Sequence, residues 1–150
     1  MISLKLIVAG VAALLVMYLA GLSFLTRQTE IKAEGERHLS PCPGKPNCVF
    51  SQSDEEAHAI QAFSVLESDR SESWDRLMTA IRQSGGEILV NDGRYCHAVF
   101  TSKLFRFKED LEAQLATTQI DIRSASRAGT SDLGKNRKRV ERIRQRYLNP

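Results

Sequence analysis

Asp110, Arg123 and Arg127 are the residues whose types and spacing come closest to chemistry in this chain. Arginines at positions of equal parity on a strand project from one face. Two guanidinium groups beside a carboxylate can grip a carboxylate or phosphate through charge-assisted hydrogen bonds. They belong to a dense polar stretch, residues 120–144, that also holds Ser124, Ser126, Ser131, Asp132, Asn136 and Arg137. Ile120 and Ile122 alternate with Asp121 and Arg123 as in a half-buried strand, and beyond Gly129 the residues Leu133, Val140, Ile143 and Tyr147 recur at helical spacing. A strand thus meets a helix through a polar junction. Backbone N–H groups at such a helix start can hold an anion, or Ser131 or Asp132 can simply cap it. In the ligand-binding reading Asp110, Glu112, Arg123 and Arg127 surround the Gly129 loop, while Ser124, Ser126, Ser131 and Asn136 fix its backbone. In the bland reading the charges form a solvated ladder of little energetic weight.

Other chemistries fail on spacing. Residues 129–136 imitate a phosphate loop, but Asn136 stands where a magnesium-holding hydroxyl is required and Asp132 places a negative charge where phosphates would lie. Cys42, Cys48, His38 and His58 lack the close pairings of zinc sites, so no metal and no cofactor is expected. Cys96 and His97 are consecutive strand residues and point to opposite faces, so Cys96 reads as a buried, inert thiol on the side of Ala98, Phe100 and Leu104. An enzyme would have to use Asp110 as acid or base, with Arg123 and Arg127 holding an anionic substrate.

The elements that must position these groups suit one modest core and not two domains. Residues 62–66 suggest a short strand, and residues 72–83 a helix with Trp74, Leu77, Met78 and Ile81 on its apolar face, closed by Gly85 and Gly86. Residues 87–90 and 95–104 form a hairpin across the Asn91-Asp92-Gly93 turn. Residues 110–115 and 120–126 form a second hairpin; if Leu115 faces Ile120, Glu112 opposes Arg123 and Asp110 lies diagonally between Arg123 and Arg127. The expectation is α+β: an N-terminal transmembrane helix, then one small domain with a mostly antiparallel sheet covered on one face by two helices.

Residues 123–139 read Arg-Ser-Ala-Ser-Arg-Ala-Gly-Thr-Ser-Asp-Leu-Gly-Lys-Asn-Arg-Lys-Arg, and residues 42–49 read Cys-Pro-Gly-Lys-Pro-Asn-Cys-Val. On these two motifs the chain resembles the family catalogued as domain of unknown function 1499, over roughly residues 40–147. Where that family often carries two adjacent aspartates, this chain has Glu109-Asp110. The resemblance implies an exported or envelope protein and brings no activity with it.

The amino terminus agrees with export. Residues 6–25 carry no charge, a run of about 20 residues that matches a bilayer core and exceeds the usual signal-peptide core of about 7 to 15. Segments 1–25, 26–40 and 41–150 then read as anchor (or uncleaved signal), polar linker and soluble domain. Flanking charge is ambiguous: Arg27, Lys32 and Arg37 outnumber Lys5, yet a helix with a short amino-terminal tail commonly exports the chain behind it. Cys42 and Cys48 flank a Pro- and Gly-rich turn, and the residues alone leave bonded and free thiols equally open. With the resemblance, a disulfide and an oxidising compartment are implied, placing a single-pass protein in the inner membrane with its domain facing the periplasm or exterior. The net charge of +3 conceals a basic C-terminal segment with Lys135, Arg137, Lys138, Arg139, Arg142, Arg144 and Arg146. The favoured reading of this segment is a solvated outer face, with Arg137 turned inward to the acidic strand; as a binding face behind an anchor it suits an anionic ligand, an anionic lipid surface or an acidic envelope protein before nucleic acid. Together these readings favour an anchored binding or scaffolding module of the cell envelope, with an envelope enzyme as the alternative.

Overall fold

The structure, a computed structural model, describes residues 3–28, 31–66 and 69–150; Glu30 of the polar linker and the first two residues of the anchor segment lie outside the described residues. The uncharged run lies within α1, Leu4–Leu25, which is long and apolar enough to cross a membrane and is almost wholly exposed. Such a helix suits a membrane span and equally a signal sequence.

The rest is α+β, as the periodicities require. Strands β1 (Cys48–Phe50), β2 (Phe63–Ser64), β3 (Glu87–Asn91), β4 (Tyr95–Thr101), β5 (Lys108–Leu115) and β6 (Gln119–Ser126) form one antiparallel sheet, in the order β1-β6-β5-β4-β3. β2 pairs with β6 beyond the end of β1. Helices α2 (Arg70–Gln83) and α3 (Lys135–Leu148) lie side by side on one face of the sheet. Between them and the strands sit Leu77, Ile81, Leu111, Ile122, Val140 and Ile143, each fully buried. Burial of such a side chain is worth about 1.5–3 kcal/mol.

Local chemistry sets the ends. The Asp69 side chain accepts from the Glu72 N–H to start α2. Gly85, at φ +92°, ends it in a left-handed turn that lacks a Cβ penalty, and a Cβ on Gly86 would lie 2.7 Å from Ile81 and 2.8 Å from Phe100. A register irregularity between Ile88 and Val90 turns those residues to opposite faces: Ile88 joins the helix-covered core, Val90 a smaller cluster with Leu39, Phe50 and Tyr95.

Three expectations change. β1 was not legible, being three residues long next to a turn. β4 stops at Thr101, so Leu104 leaves the apolar side of the strand and is 80% exposed. Leu133 precedes α3 in a left-handed conformation (φ 55°) and is 81% exposed, so it is no part of the helix's apolar stripe. Cys42 and Cys48 are bonded, with their Cα atoms 5.7 Å apart, and Cys96 is a buried free thiol pushed up to about 12, chiefly by burial.

Candidate functional site

The sheet face turned away from α2 and α3 carries Tyr95 and His97 on β4, Asp110 and Glu112 on β5, and Arg123 on β6, with Arg127 just past its end. Leu115 pairs with Ile120 and Glu112 with Arg123, and Asp110 sits opposite Ala125 between the two arginines. Arg127 grips Asp110 with both arms of its fork, Nε to Oδ2 at 2.7 Å and Nη2 to Oδ1 at 2.6 Å. Its remaining nitrogen, Nη1, donates to the Thr26 and Gln28 carbonyls at 2.8 and 2.7 Å. Those carbonyls lie just past the last turn of α1, where backbone acceptors lack intrahelical partners. One guanidinium therefore ties the sheet to the helix.

His97 Nε2 lies 2.8 Å from Asp110 Oδ1. An ionised carboxylate only accepts, so Nε2 carries the hydrogen, and Nδ1 is buried without a protein partner among the described residues. Burial alone would raise the Asp110 carboxyl, but hydrogen bonds from Arg127 and His97 outweigh it and hold the group at about 2. Glu112 accepts from Tyr95 Oη at 2.6 Å and Arg123 Nη1 at 3.1 Å, with Lys32 Nζ at 2.7 Å. Burial likewise opposes ionisation of Glu112, and Lys32 and Tyr95 overcome it, leaving the carboxyl below its usual range. Burial first, then the bond to Glu112, drive the Tyr95 phenol far upward. A cavity of about 460 Å³ opens here, with Leu25 and Gln28 on one side and His97, Asp110, Arg123 and Arg127 on the other. Arg123 keeps its Nε buried and, among the described residues, unpartnered.

A family profile described as Protein of unknown function (DUF1499) matches residues 38–147. The chain belongs to this family. No curated protein and no solved structure matches it.

In this DUF1499 chain the long motif divides between two places. Arg123 and Arg127 face the cavity, whereas Ser124 and Ser126, of opposite parity, face α3 and meet Asn136. Asn136 is fully buried: its Oδ1 accepts from Ser124 Oγ and Arg139, and its Nδ2 donates to the Asn47 carbonyl at 2.9 Å and Ser126 Oγ at 3.0 Å. Asn47 in turn donates to the Gly129 carbonyl at 2.8 Å, so the two sequence motifs meet in one polar knot. Asp132 accepts from the N–H groups of Gly134 at 3.0 Å and Asn136 at 2.6 Å, which occupies donors an anion at the helix start would need. Ser131 is exposed and bonds to the Leu133 N–H. Arg137 reaches the loop carbonyls of Ala57 and Ala59, and Arg139, not Arg137, turns inward to the acidic strand at Glu109. With Arg144 spent on the Gln61 and Ala62 carbonyls, the exposed basic face of α3 reduces to Lys135, Lys138, Arg142 and Arg146.

Three site members escape the sequence patterns as read. His97 was legible from strand parity, since it shares its face with Tyr95 and opposes Glu112. Lys32 and Thr26 were not, because they fall in the stretch read as a linker; Thr26 is buried, its hydroxyl accepting from the Lys108 N–H at 3.1 Å. Among the described residues no cluster suited to a metal ion occurs.

Proposed function

We infer that this protein is a membrane-anchored binding module of the cell envelope, whose cavity between α1 and the sheet accepts a small anionic group such as a phosphate. The observation that carries the reading is Arg123: its Nη1 is spent on Glu112, while its buried Nε meets no acceptor among the described residues. A buried donor without a partner costs about 1–3 kcal/mol, and an anionic oxygen that draws the Arg123 fork toward the cavity would relieve that cost. Three cations, Lys32, Arg123 and Arg127, against two carboxylates leave the cavity lining positive. An enzymatic reading with Asp110 as acid or base is weaker, because a carboxyl held at about 2 is a feeble base and is already ionised at neutral pH. If a reaction occurs there, His97, held in one tautomer by Asp110, is the better-placed group.

The binding claim is tested with the full chain in detergent micelles, titrated with inorganic phosphate and with glycerol 3-phosphate. At least one should raise the melting temperature, the shift should vanish in Arg123→Ala, and it should persist in Lys138→Ala. No shift with either probe, or an unchanged shift in Arg123→Ala, removes the cavity as an anion site.

Anchoring and export are tested separately. A β-lactamase fused after Pro150 should be active, and thiol labelling of denatured, unreduced protein should find one free cysteine of three, because a disulfide consumes Cys42 and Cys48 and leaves Cys96. An inactive fusion together with three free thiols would contradict export.

A further inference from the structure

We propose that two loops of the globular domain, residues 102–107 and 128–134, form a collar that docks on the anionic phospholipid surface of the bilayer holding α1. The proposal rests on α1 being a membrane span and adds that the domain itself touches lipid.

Proximity comes first. A cavity of about 170 Å³ lies between Leu19 and Leu22 of α1 and Phe107, Gly129 and Lys135 of the domain. The residues flanking these loops are fastened to the helix end, Lys108 by its N–H on Thr26 Oγ1 and Arg127 by its bonds to the Thr26 and Gln28 carbonyls. At about 1.5 Å per residue, Leu19 stands about 9 Å below Leu25 along the axis, and α1 as a whole is only about as long as a bilayer core of about 30 Å is thick. Loops that reach from the helix end toward Leu19 therefore lie at the headgroup boundary and just inside the acyl region.

Their surface suits that depth. Leu104 and Leu133 are 80% and 81% exposed, against 55% for Leu148 at the carboxyl end. Among the described residues nothing covers either side chain, yet each belongs to a loop next to α1. Among the described residues the two non-glycine positions at positive φ are Arg106, at 54°, and Leu133, at 55°. Both collar loops thus hold a backbone conformation that L-residues avoid, and neither gains buried side-chain contact from it. Around the leucines stand Lys103, Arg106 and Lys135, all exposed, with Arg27 just past the helix. The one acid in these loops, Asp132, is buried and occupied by the start of α3. Exposed leucines ringed by lysine and arginine match an anionic interface: the apolar groups enter the acyl boundary and the basic heads stay among the phosphates.

The test uses the full chain in vesicles, with Leu104→Cys, Leu133→Cys or Thr117→Cys carrying an environment-sensitive nitrobenzoxadiazole probe. Native Cys96 is buried and Cys42 and Cys48 are bonded, so the new thiol takes the label. Thr117 is exposed in the loop joining β5 to β6, at the opposite end of strands about 25 Å long. In vesicles containing phosphatidylglycerol, nitroxide-labelled lipid should quench the probes at 104 and 133 and blue-shift their emission relative to 117. Reversing charge with Lys103→Glu and Arg106→Glu together should weaken quenching at 104, whereas Lys138→Glu should not. Equal accessibility of all three probes, or quenching indifferent to the charge reversal, overturns the anionic collar. Alkaline carbonate extraction separates the premises: protein released by carbonate defeats the anchor, while protein that stays integral with unquenched probes defeats the collar alone.

Discussion

Arg127→Ala is expected to destabilise the domain by about 3 kcal/mol, because it strips the partly buried Asp110 carboxylate of its bidentate partner and leaves His97 as its one remaining donor among the described residues. Against a typical total of about 5–15 kcal/mol, that is a large share. Unfolding followed by the single tryptophan, Trp74, which is buried against the core, should report it directly. Arg127→Lys should fall between, since an ammonium keeps the charge but cannot hold both Asp110 oxygens and two carbonyls in one plane. The pH dependence is set by the direction of the Asp110 shift. Its folded value, about 2, lies below the ordinary 3.8, so its contribution is complete above about pH 4 and fades as pH falls toward 2. The difference of a little under two units corresponds to about 2 kcal/mol. Arg127→Ala should therefore lose stability at neutral pH and also flatten the acid limb of the stability curve. A variant as stable as Arg142→Ala, with the acid limb unchanged, would mean that Arg127 braces nothing.

The part of the site legible in sequence is the part that obeys period two. Parity placed Asp110, Glu112, Arg123 and Arg127 on one face, and the register through Leu115 and Ile120 came from the loop length between the strands. The same parity puts Ser124 and Ser126 on the other face, against Asn136, where they join the network that holds the Asn47 and Gly129 carbonyls and do not line the cavity. The segment between α1 and Cys42 is a different matter. Lys32 and Arg37 look like ordinary polar spacer residues, yet Lys32 pairs with Glu112 at the cavity and Arg37 with Asp92 at 2.9 Å, fastening the segment to the sheet. No periodicity marks such contacts, because they depend on where a loop crosses a surface. Leu133 misled for a related reason. It falls in phase with the helix's apolar positions, but Asp132 takes the helix-start donors one turn later and leaves Leu133 outside.

Asn136→Ala should be the second costly change, and its effect should be on stability rather than on any ligand. Asn136 is fully buried and satisfies Ser124 Oγ, Ser126 Oγ, the Asn47 carbonyl and an Arg139 nitrogen at once. Each buried polar group left without a partner costs about 1–3 kcal/mol. Arg139 and the serines retain alternatives, since Arg139 also pairs with Glu109 and Ser126 also donates to Glu109. The Asn47 carbonyl keeps the Ser126 N–H at 3.0 Å. The expected loss is therefore about 3 kcal/mol, well short of the sum of four independent penalties. It should be non-additive with Glu109→Gln, because both substitutions loosen one connected network, and a double-mutant cycle should show coupling above about 0.5 kcal/mol. Strict additivity in that cycle, or Asn136→Ala unfolding at the same denaturant concentration as the parent, would mean that α3 is held to the sheet by Val140, Ile143 and Tyr147 alone. Loss of a phosphate-induced thermal shift in Asn136→Ala at unchanged stability would instead return the residue to the binding site from which its burial excludes it.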